Sequence, residues 1–314
     1  MMRRHAGFAL AEVLINHGVQ YVFGVPGGQT CALYNAIAHL KPKLQHILMR
    51  DERSAVYAAD AYARVTGKVG VCDATVGPGA TKLPSGLMEA YNSSIPLLAI
   101  ISDVESDATN LIERGRISQG VDQGTMLRPL AKAVFRVPCV DRLPELTRAA
   151  FITAVANRPG PVVLEVPHDV FNARLEGLDL DLRGSQRLGR FPAWRTYPDP
   201  VDVEAVGRLL VRAQRPVLVV GGGALISGAE KQVLELAEGL AMPVATTFSG
   251  KGVIPETHPL ALGVVGNIGV PSAEQIVRAA DLVFLVGFKS AQNSTFNWTL
   301  PEPKQTVVHL DVDA

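Results

Sequence analysis

One acidic residue stands where a short apolar run gives way to a helical pattern. The stretch ILMRDERSAVYAADAYARVTG places Glu52 after strand-like HILM and at the head of a helix predicted over Arg53 to Val65, closed by Gly67. A carboxylate there complements the positive end of the helix. In front of a bound ligand it is also placed to exchange a proton. Two turns share this layout: TVGPGAT, Thr75 to Thr81, and VFGVPGG, Val22 to Gly28, each lie between a strand-like run and a helix. Glycines let backbone approach a ligand there and helix amides can face an anion, although Gly-Pro-Gly is also ordinary turn chemistry. Three such turns at the carboxyl ends of neighbouring strands mark the place where open α/β sheets bind ligands. A fourth, GGGALISG from Gly221 to Gly228, misses the G-x-G-x-x-G pattern at Ile226, so a dinucleotide turn and a simple tight turn stay equally open. Lys251 in TTFSGKG reads as a solvated lysine.

The elements that must position these residues follow from periodicity. A helix over Ala6 to His17 precedes YVFGV, a helix after Gln29, HILM, the helix behind Glu52, VGVCDA, a helix after Gly79, PLLAII, an irregular stretch, KAVFRV, a helix over Pro144 to Asn157 and PVVLEV. This alternation implies an α/β fold with a mainly parallel, doubly wound sheet covered by helices on both faces. Between Phe171 and Pro200 the texture turns rich in Pro, Gly and charge, so 1–170 reads as one domain and 171–200 as a linker. A second parallel α/β domain is predicted over 201–314, with strands PVLVV, PVATT, LVFLV and TVVHLDV and helices over Val203 to Ala213, Gly228 to Leu240 and Pro271 to Ala279.

Composition narrows the function classes. The 314 residues are 47% hydrophobic, enough for two cores, and thirty basic residues balance thirty acidic ones. No basic patch stands out, which argues against nucleic acid or an anionic membrane as partner. The longest apolar run, Ser94 to Ile101, falls far short of the ~18 residues of a membrane span and reads as a buried strand. The start MMRRHAGFALAEVLINHGV imitates a signal peptide, but Glu12, Asn16 and His17 interrupt it and no A-x-A-like cleavage site follows. Three widely spaced cysteines, Cys31, Cys72 and Cys139, without a C-x-x-C, suit a reducing cytoplasm. The seven histidines form no ligand pair, so no protein-only metal site is expected.

Taken in order, YVFGVPGG, the glutamate of RDERSAVYAADAYARVTGKVGV, TVGPGAT, SIPLLAI, RPGPVVLEVPHDV, RPVLVVGGGA, TTFSGKGVIPETHPLALG and HLDVDA resemble the thiamine-diphosphate enzymes of the acetolactate synthase group nearly end to end. The resemblance implies that 1–170 binds the aminopyrimidine of the cofactor and that 201–314 is a Rossmann-like middle domain, which holds FAD or ADP in some members. A third domain of that family binds the diphosphate through Mg2+ and carries Gly-Asp-Gly followed some way on by Asn. Residues 1–314 contain no Gly-Asp-Gly. The expected arrangement is therefore a split enzyme: a separate subunit supplies that domain, and this chain forms a homodimer within a heterotetramer. A fragment of a longer single chain and a non-catalytic nucleotide-binding or regulatory homologue are the alternatives.

The resemblance also assigns roles. Glu52 hydrogen-bonds N1′ of the aminopyrimidine and promotes the imino tautomer that removes the C2 proton, the first step toward attack on a 2-keto acid, with decarboxylation and then carboligation or aldehyde release. Gln119 matches a glutamine near the reacting centre and is the second catalytic candidate. Val25, Pro26, Gly27, Gly28, Thr75, Pro78 and Lys82 fall at cofactor-binding positions. Gly221, Gly222, Gly223, Thr246, Thr247 and Lys289 fall where a flavin or adenine nucleotide would lie. Departures from the acetolactate synthase pattern are Asp51 for His, Lys82 for Asn, Ser102-Asp103 for Gly-Gln, Ser118 for Phe, and Lys289 for the arginine that contacts flavin. Lysine lacks the planar, multidentate donor of arginine. The pocket is accordingly expected to prefer a partner larger or more polar than pyruvate.

Overall fold

The computed structural model describes residues 5–313; Met1–Arg4, the opening of the signal-like stretch, and Ala314 at the end of HLDVDA lie outside the described residues. The chain divides into two units, Met1–Ala193 and Trp194–Ala314.

The first unit runs α1 (Ala6–Asn16), β1 (Tyr21–Gly24), α2 (Cys31–Leu40), β2 (Gln45–Leu48), α3 (Glu52–Thr66), β3 (Gly70–Ala74), α4 (Pro84–Ser93), β4 (Leu97–Asp103), the short α5 (Thr109–Ile112) and α6 (Gln123–Leu127), β5 (Ala133–Arg136), α7 (Leu143–Val155), β6 (Val162–Pro167) and α8 (His168–Asn172). Its six strands pair in parallel in the order β2-β1-β3-β4-β6-β5. Strands β3, β4 and β6 are buried along their whole length, as central strands covered on both faces must be. Ala55, Val56, Leu83, Leu87, Leu97 and Ile101 close the core between α3, α4 and the sheet, each large aliphatic contributing about 1.5–3 kcal/mol by burial.

Local chemistry sets the helix ends that matter for the site. Asp51 caps α3 by accepting from the Arg53 amide at 2.9 Å, and Gly67 ends it in the left-handed region at φ 66°. At the far end of α7, Lys132 Nζ donates to the carbonyls of Thr153, Ala156 and Arg158 at 2.7–2.8 Å, satisfying acceptors that the helix leaves open.

Residues 171–193, the first part of the stretch read as a linker, are strapped to the first unit. Asn16 Nδ2 donates to Leu182 O at 2.8 Å and Arg148 Nη1 to Asp181 O at 2.6 Å. The Val69 amide donates to Gly189 O at 2.8 Å, the Phe191 amide to Gly67 O at 3.0 Å, and the half-buried Phe191 packs on the core.

The second unit holds α9 (Pro200–Arg212), β7 (Pro216–Val220), α10 (Gly222–Ile226), α11 (Glu230–Leu240), β8 (Val244–Thr246), β9 (Ala261–Val264), α12 (Pro271–Ala279), β10 (Leu282–Val286) and β11 (Thr306–Leu310). Its parallel sheet is ordered β11-β10-β7-β8-β9. Four strands are expected from the sequence here and five form. The additional one, β9, contains Gly263 at φ 85° and pairs across a register shift at Val244/Ala245, so its sequence lacks the alternation from which a strand is read.

Candidate active site

The winding of the first sheet reverses between β1 and β3, the switch point at which open α/β sheets present a crevice. The turns after these two strands meet there. A Cβ on Gly27 would lie 2.3 Å from Thr75 Cβ, so the approach requires glycine, and Thr75 Oγ1 donates to Gln29 Oε1 at 3.0 Å. Val25 is half-buried, Pro26 and Pro78 are exposed, and a side chain at Gly28 would meet nothing within 4 Å.

Glu52 opens α3 at this end of the sheet and is only 6% exposed. Its Oε2 accepts from Lys82 Nζ at 3.0 Å, and the same ammonium lies 3.7 Å from Asp51 Oδ2. The bond from Glu52 is the main cause that holds Lys82 above its usual lysine range. Asp51 is held down at about 2, chiefly by hydrogen bonds from the Arg53 side chain and amide. The site therefore presents one sequestered carboxylate, with a half-exposed cation against it.

Beneath Glu52 lies a group that sequence reasoning missed. Asp73, on β3, is fully buried. The Tyr34 hydroxyl lies 3.0 and 2.8 Å from its two oxygens and 3.0 Å from His46 Nε2. Burial pushes the Asp73 carboxyl up to about 8; the Tyr34 bond opposes this and the charge of Glu52 adds to it. Burial also raises Tyr34 and lowers His46. Room for the carboxyl exists because β1 opposes it with Gly24, where a Cβ would stand 1.9 Å from Asp73 Oδ1. An aspartate inside the otherwise apolar strand VGVCDA is the sequence signal that could have found it.

Gln123 is the second omission. Fully buried at the start of α6, it accepts from the Gly77 amide at 3.2 Å and donates to Ser102 O at 2.6 Å, tying the Thr75–Gly79 turn to the end of β4. Gln119, the glutamine singled out in the sequence, is exposed, and its carbonyl abuts Gly77, where a Cβ would come within 1.9 Å. Near Gln123, which hydrogen-bonds Glu165, Arg136 donates through Nη2 to buried Asp103 at 2.9 Å and reaches Glu165 with Nε at 3.8 Å. Burial, then the charge of Asp103, raises Glu165. No group of three or more His, Cys, Asp or Glu among the described residues could hold a metal ion.

In the second unit the glycines at the switch point between β7 and β10 are taken up by backbone. The Gly221 amide donates to Val286 O at 2.9 Å and the Gly223 amide to Gly287 O at 3.0 Å, and a Cβ at Gly221 would lie 2.1 Å from Gly287 O. Thr247 Oγ1 accepts from the Gly250 amide at 3.1 Å. Thr246 Oγ1 is buried without a hydrogen-bond partner among the described residues; Lys289 is exposed. The Gly221 and Gly223 amides at the start of α10 are thus engaged by carbonyls of the same chain.

The aminopyrimidine of thiamine diphosphate does fit the first unit, because a sequestered carboxyl group beside a glycine-lined turn can share a proton with a ring nitrogen. Comparison with known proteins agrees with that chemistry. Residues 4–126 match the N-terminal TPP binding domain of the thiamine pyrophosphate enzymes, and 203–314 match their central domain. Over 311 residues the chain is 38% identical to an acetolactate synthase of Arthrospira platensis, covering 98% of this chain and 53% of that protein. It is 36% identical to a probable acetolactate synthase large subunit of Methanocaldococcus jannaschii, covering 97% and 50%. With the acetolactate synthase isozyme 3 large subunit of Escherichia coli it shares 37% identity, covering 96% and 51%. The chain spans about half the length of these relatives. It belongs to the thiamine pyrophosphate enzymes, of which it carries the N-terminal and central domains.

Proposed function

We propose that this chain is the pyrimidine-binding component of an acetolactate-synthase-type enzyme that decarboxylates a 2-keto acid and then ligates or releases the resulting aldehyde unit. The observation that carries this reading is Glu52: a carboxylate 6% exposed, at a helix start, beside the switch point of a parallel sheet. Val25, Pro26, Gly27, Gly28, Thr75 and Pro78 would hold the aminopyrimidine. Thiamine diphosphate, when bound, supplies the carbanion chemistry. The chain's own part is to share a proton with the ring at the Glu52 carboxyl oxygen not engaged by Lys82, to keep water from that group, and to fix the Thr75–Gly79 turn through Gln123. Gln119 stands at the rim as the second catalytic candidate.

The diphosphate and its Mg2+ are assigned to a further domain, placed in this reading on a separate subunit within a heterotetramer built around a homodimer of this chain. Lys82, Asp103 and Ser118 change the charge and volume of the acetolactate synthase pocket, so a donor or acceptor more polar or larger than pyruvate is preferred. No helix of the described residues is long and apolar enough to cross a membrane, and three free thiols suit the cytoplasm.

Calorimetry on residues 1–314, alone and with the diphosphate-domain polypeptide, tests the reading. Alone, the chain is expected not to reach micromolar, metal-dependent cofactor affinity, on the order of −8 kcal/mol. With its partner it should bind and turn over keto acids. Micromolar binding by the chain alone overturns the split arrangement, and a loaded assembly that turns over no keto acid supports a regulatory homologue instead.

A further inference from the structure

Strand β6 is buried along its whole length, yet it carries Glu165, only 4% exposed. A carboxyl group so placed must be hydrogen-bonded, and three elements surround it. From β5, Arg136 stands in register with Glu165 and brings Nε to 3.8 Å of its Oε2. From β4, buried Asp103 takes the other end of that guanidinium, 2.9 Å from Nη2. From α6, Gln123 hydrogen-bonds Glu165. Gly124 lets that helix come close, since a Cβ there would lie 3.2 Å from Glu165 Oε2.

The Gln123 side chain is fully buried, so each of its polar atoms needs a partner. Oε1 accepts from the Gly77 amide at 3.2 Å, and one Nε2 hydrogen goes to Ser102 O at 2.6 Å. Backbone fixes this orientation at both ends, because an amide N–H only donates and a carbonyl only accepts. The second Nε2 hydrogen is the one left for Glu165. A carboxyl oxygen accepts it whether or not Glu165 is ionised.

We propose that Glu165 is a positioning residue: acting through Gln123, it braces the Thr75–Gly79 turn against which the aminopyrimidine is held, a role that rests on the pocket reading given above. The brace runs from β6 across α6 to the turn after β3, with Arg136 and Asp103 closing its outer end. Gly77 lies in the left-handed region at φ 59°, and a Cβ there would come within 1.9 Å of Gln119 O. The turn therefore passes Gln119 without slack, and a shift of the Gly77 amide moves Thr75 and Pro78 on either side of it. Without the Glu165 acceptor, a hydrogen of Gln123 is orphaned in a buried site and the amide loses the third of its three anchors.

The brace is tested without cofactor. In the 314-residue chain, Glu165→Leu removes the acceptor and leaves Arg136 paired with Asp103, whereas Glu165→Gln keeps an acceptor on a side chain of the same length. Hydrogen exchange of the Gly77 amide, followed by NMR, is expected to speed up about tenfold in Glu165→Leu, the worth of one buried hydrogen bond, and to stay within about twofold in Glu165→Gln. An unchanged rate in Glu165→Leu, or the same rise in both variants, overturns the brace. Should Glu165→Leu fail to fold, the two Nε2 hydrogens of Gln123 in the unsubstituted chain decide: both should be protected from exchange, and a rapidly exchanging one overturns the proposal. In the assembled enzyme, the thiamine diphosphate concentration that gives half-maximal rate should rise about tenfold in Glu165→Leu with kcat changed by less than about twofold, the split expected of a residue that aids binding and not the chemical step. Glu165→Gln should restore it. A fall in kcat at unchanged cofactor affinity removes the positioning role. If the unsubstituted assembly binds no cofactor, the pocket reading falls and takes the positioning role with it, while the Gly77 amide still decides the brace.

Discussion

Both parallel sheets reverse their winding beside a glycine-rich turn, yet the two switch points are filled differently. In the first unit the turns after β1 and β3 bring Gly27 against Thr75 and leave the charged trio Glu52, Lys82 and Asp51 at the opening. In the second, Gly221 and Gly223 pack on Val286 and Gly287, and the Thr246 hydroxyl is buried without a hydrogen-bond partner among the described residues. The same fold rule supplies a crevice in each case. What differs is how far the amides and side chains at each turn are already engaged by their own chain.

The sharpest way to break this contrast is at Glu52. Glu52→Gln in the assembled enzyme should leave folding and assembly intact but slow C2 exchange of the cofactor by at least ~100-fold, because the amide cannot share the proton. Unchanged exchange, measured by quenched-flow NMR, would remove Glu52 from the chemistry. Next in size is Gln123→Ala, which orphans the Gly77 amide and the Ser102 carbonyl and should cost ~2–3 kcal/mol in urea unfolding of the first unit. Gly223→Ala puts a Cβ 2.8 Å from Gly287 Cα. It should lower the stability of the second unit by ~1–3 kcal/mol while leaving the Glu52 pocket untouched, which differential scanning calorimetry with two resolved transitions can read. The smallest effect belongs to Thr246→Val. Removing a buried hydroxyl that has no partner should change stability by less than ~1 kcal/mol, and a loss of FAD or ADP affinity on this substitution would overturn the packed-crevice description. For substrate choice, Lys82→Asn is expected to raise turnover of two pyruvates relative to larger pairs, and a screen in which pyruvate is already the best substrate would refute the pocket argument.

Much of the fold was legible because strand and helix periods are local. All six strands of the first sheet lie in runs such as VGVCDA and PLLAII, whose apolar character is visible without partners. Strand β9 was not, since Gly263 and the register shift hide it inside what reads as a loop. The site divides in the same way. Glu52 is legible from its place between a strand and a helix, and the two glycine turns from their composition. Asp73, Tyr34 and His46 gain meaning only when β3, α2 and β2 come together, and Gln123 only when α6 folds onto the end of β4. Sequence spacing carries no trace of such convergence, although a lone aspartate in a buried strand was a clue that a polar partner had to exist.

The strap formed by residues 171–193 has a practical corollary for anyone dissecting the polypeptide. A fragment ending at residue 170, where the periodic pattern stops, would lose the acceptor at Gly189 and the donor at Phe191, leaving the Val69 amide and the Gly67 carbonyl without their partners and stripping Phe191 from the core. Such a piece should aggregate or melt early. The natural scissile stretch is instead 194–199, which includes Tyr197 at 88% exposed. Limited digestion should nick there first and release a first unit that keeps its strap and its pocket.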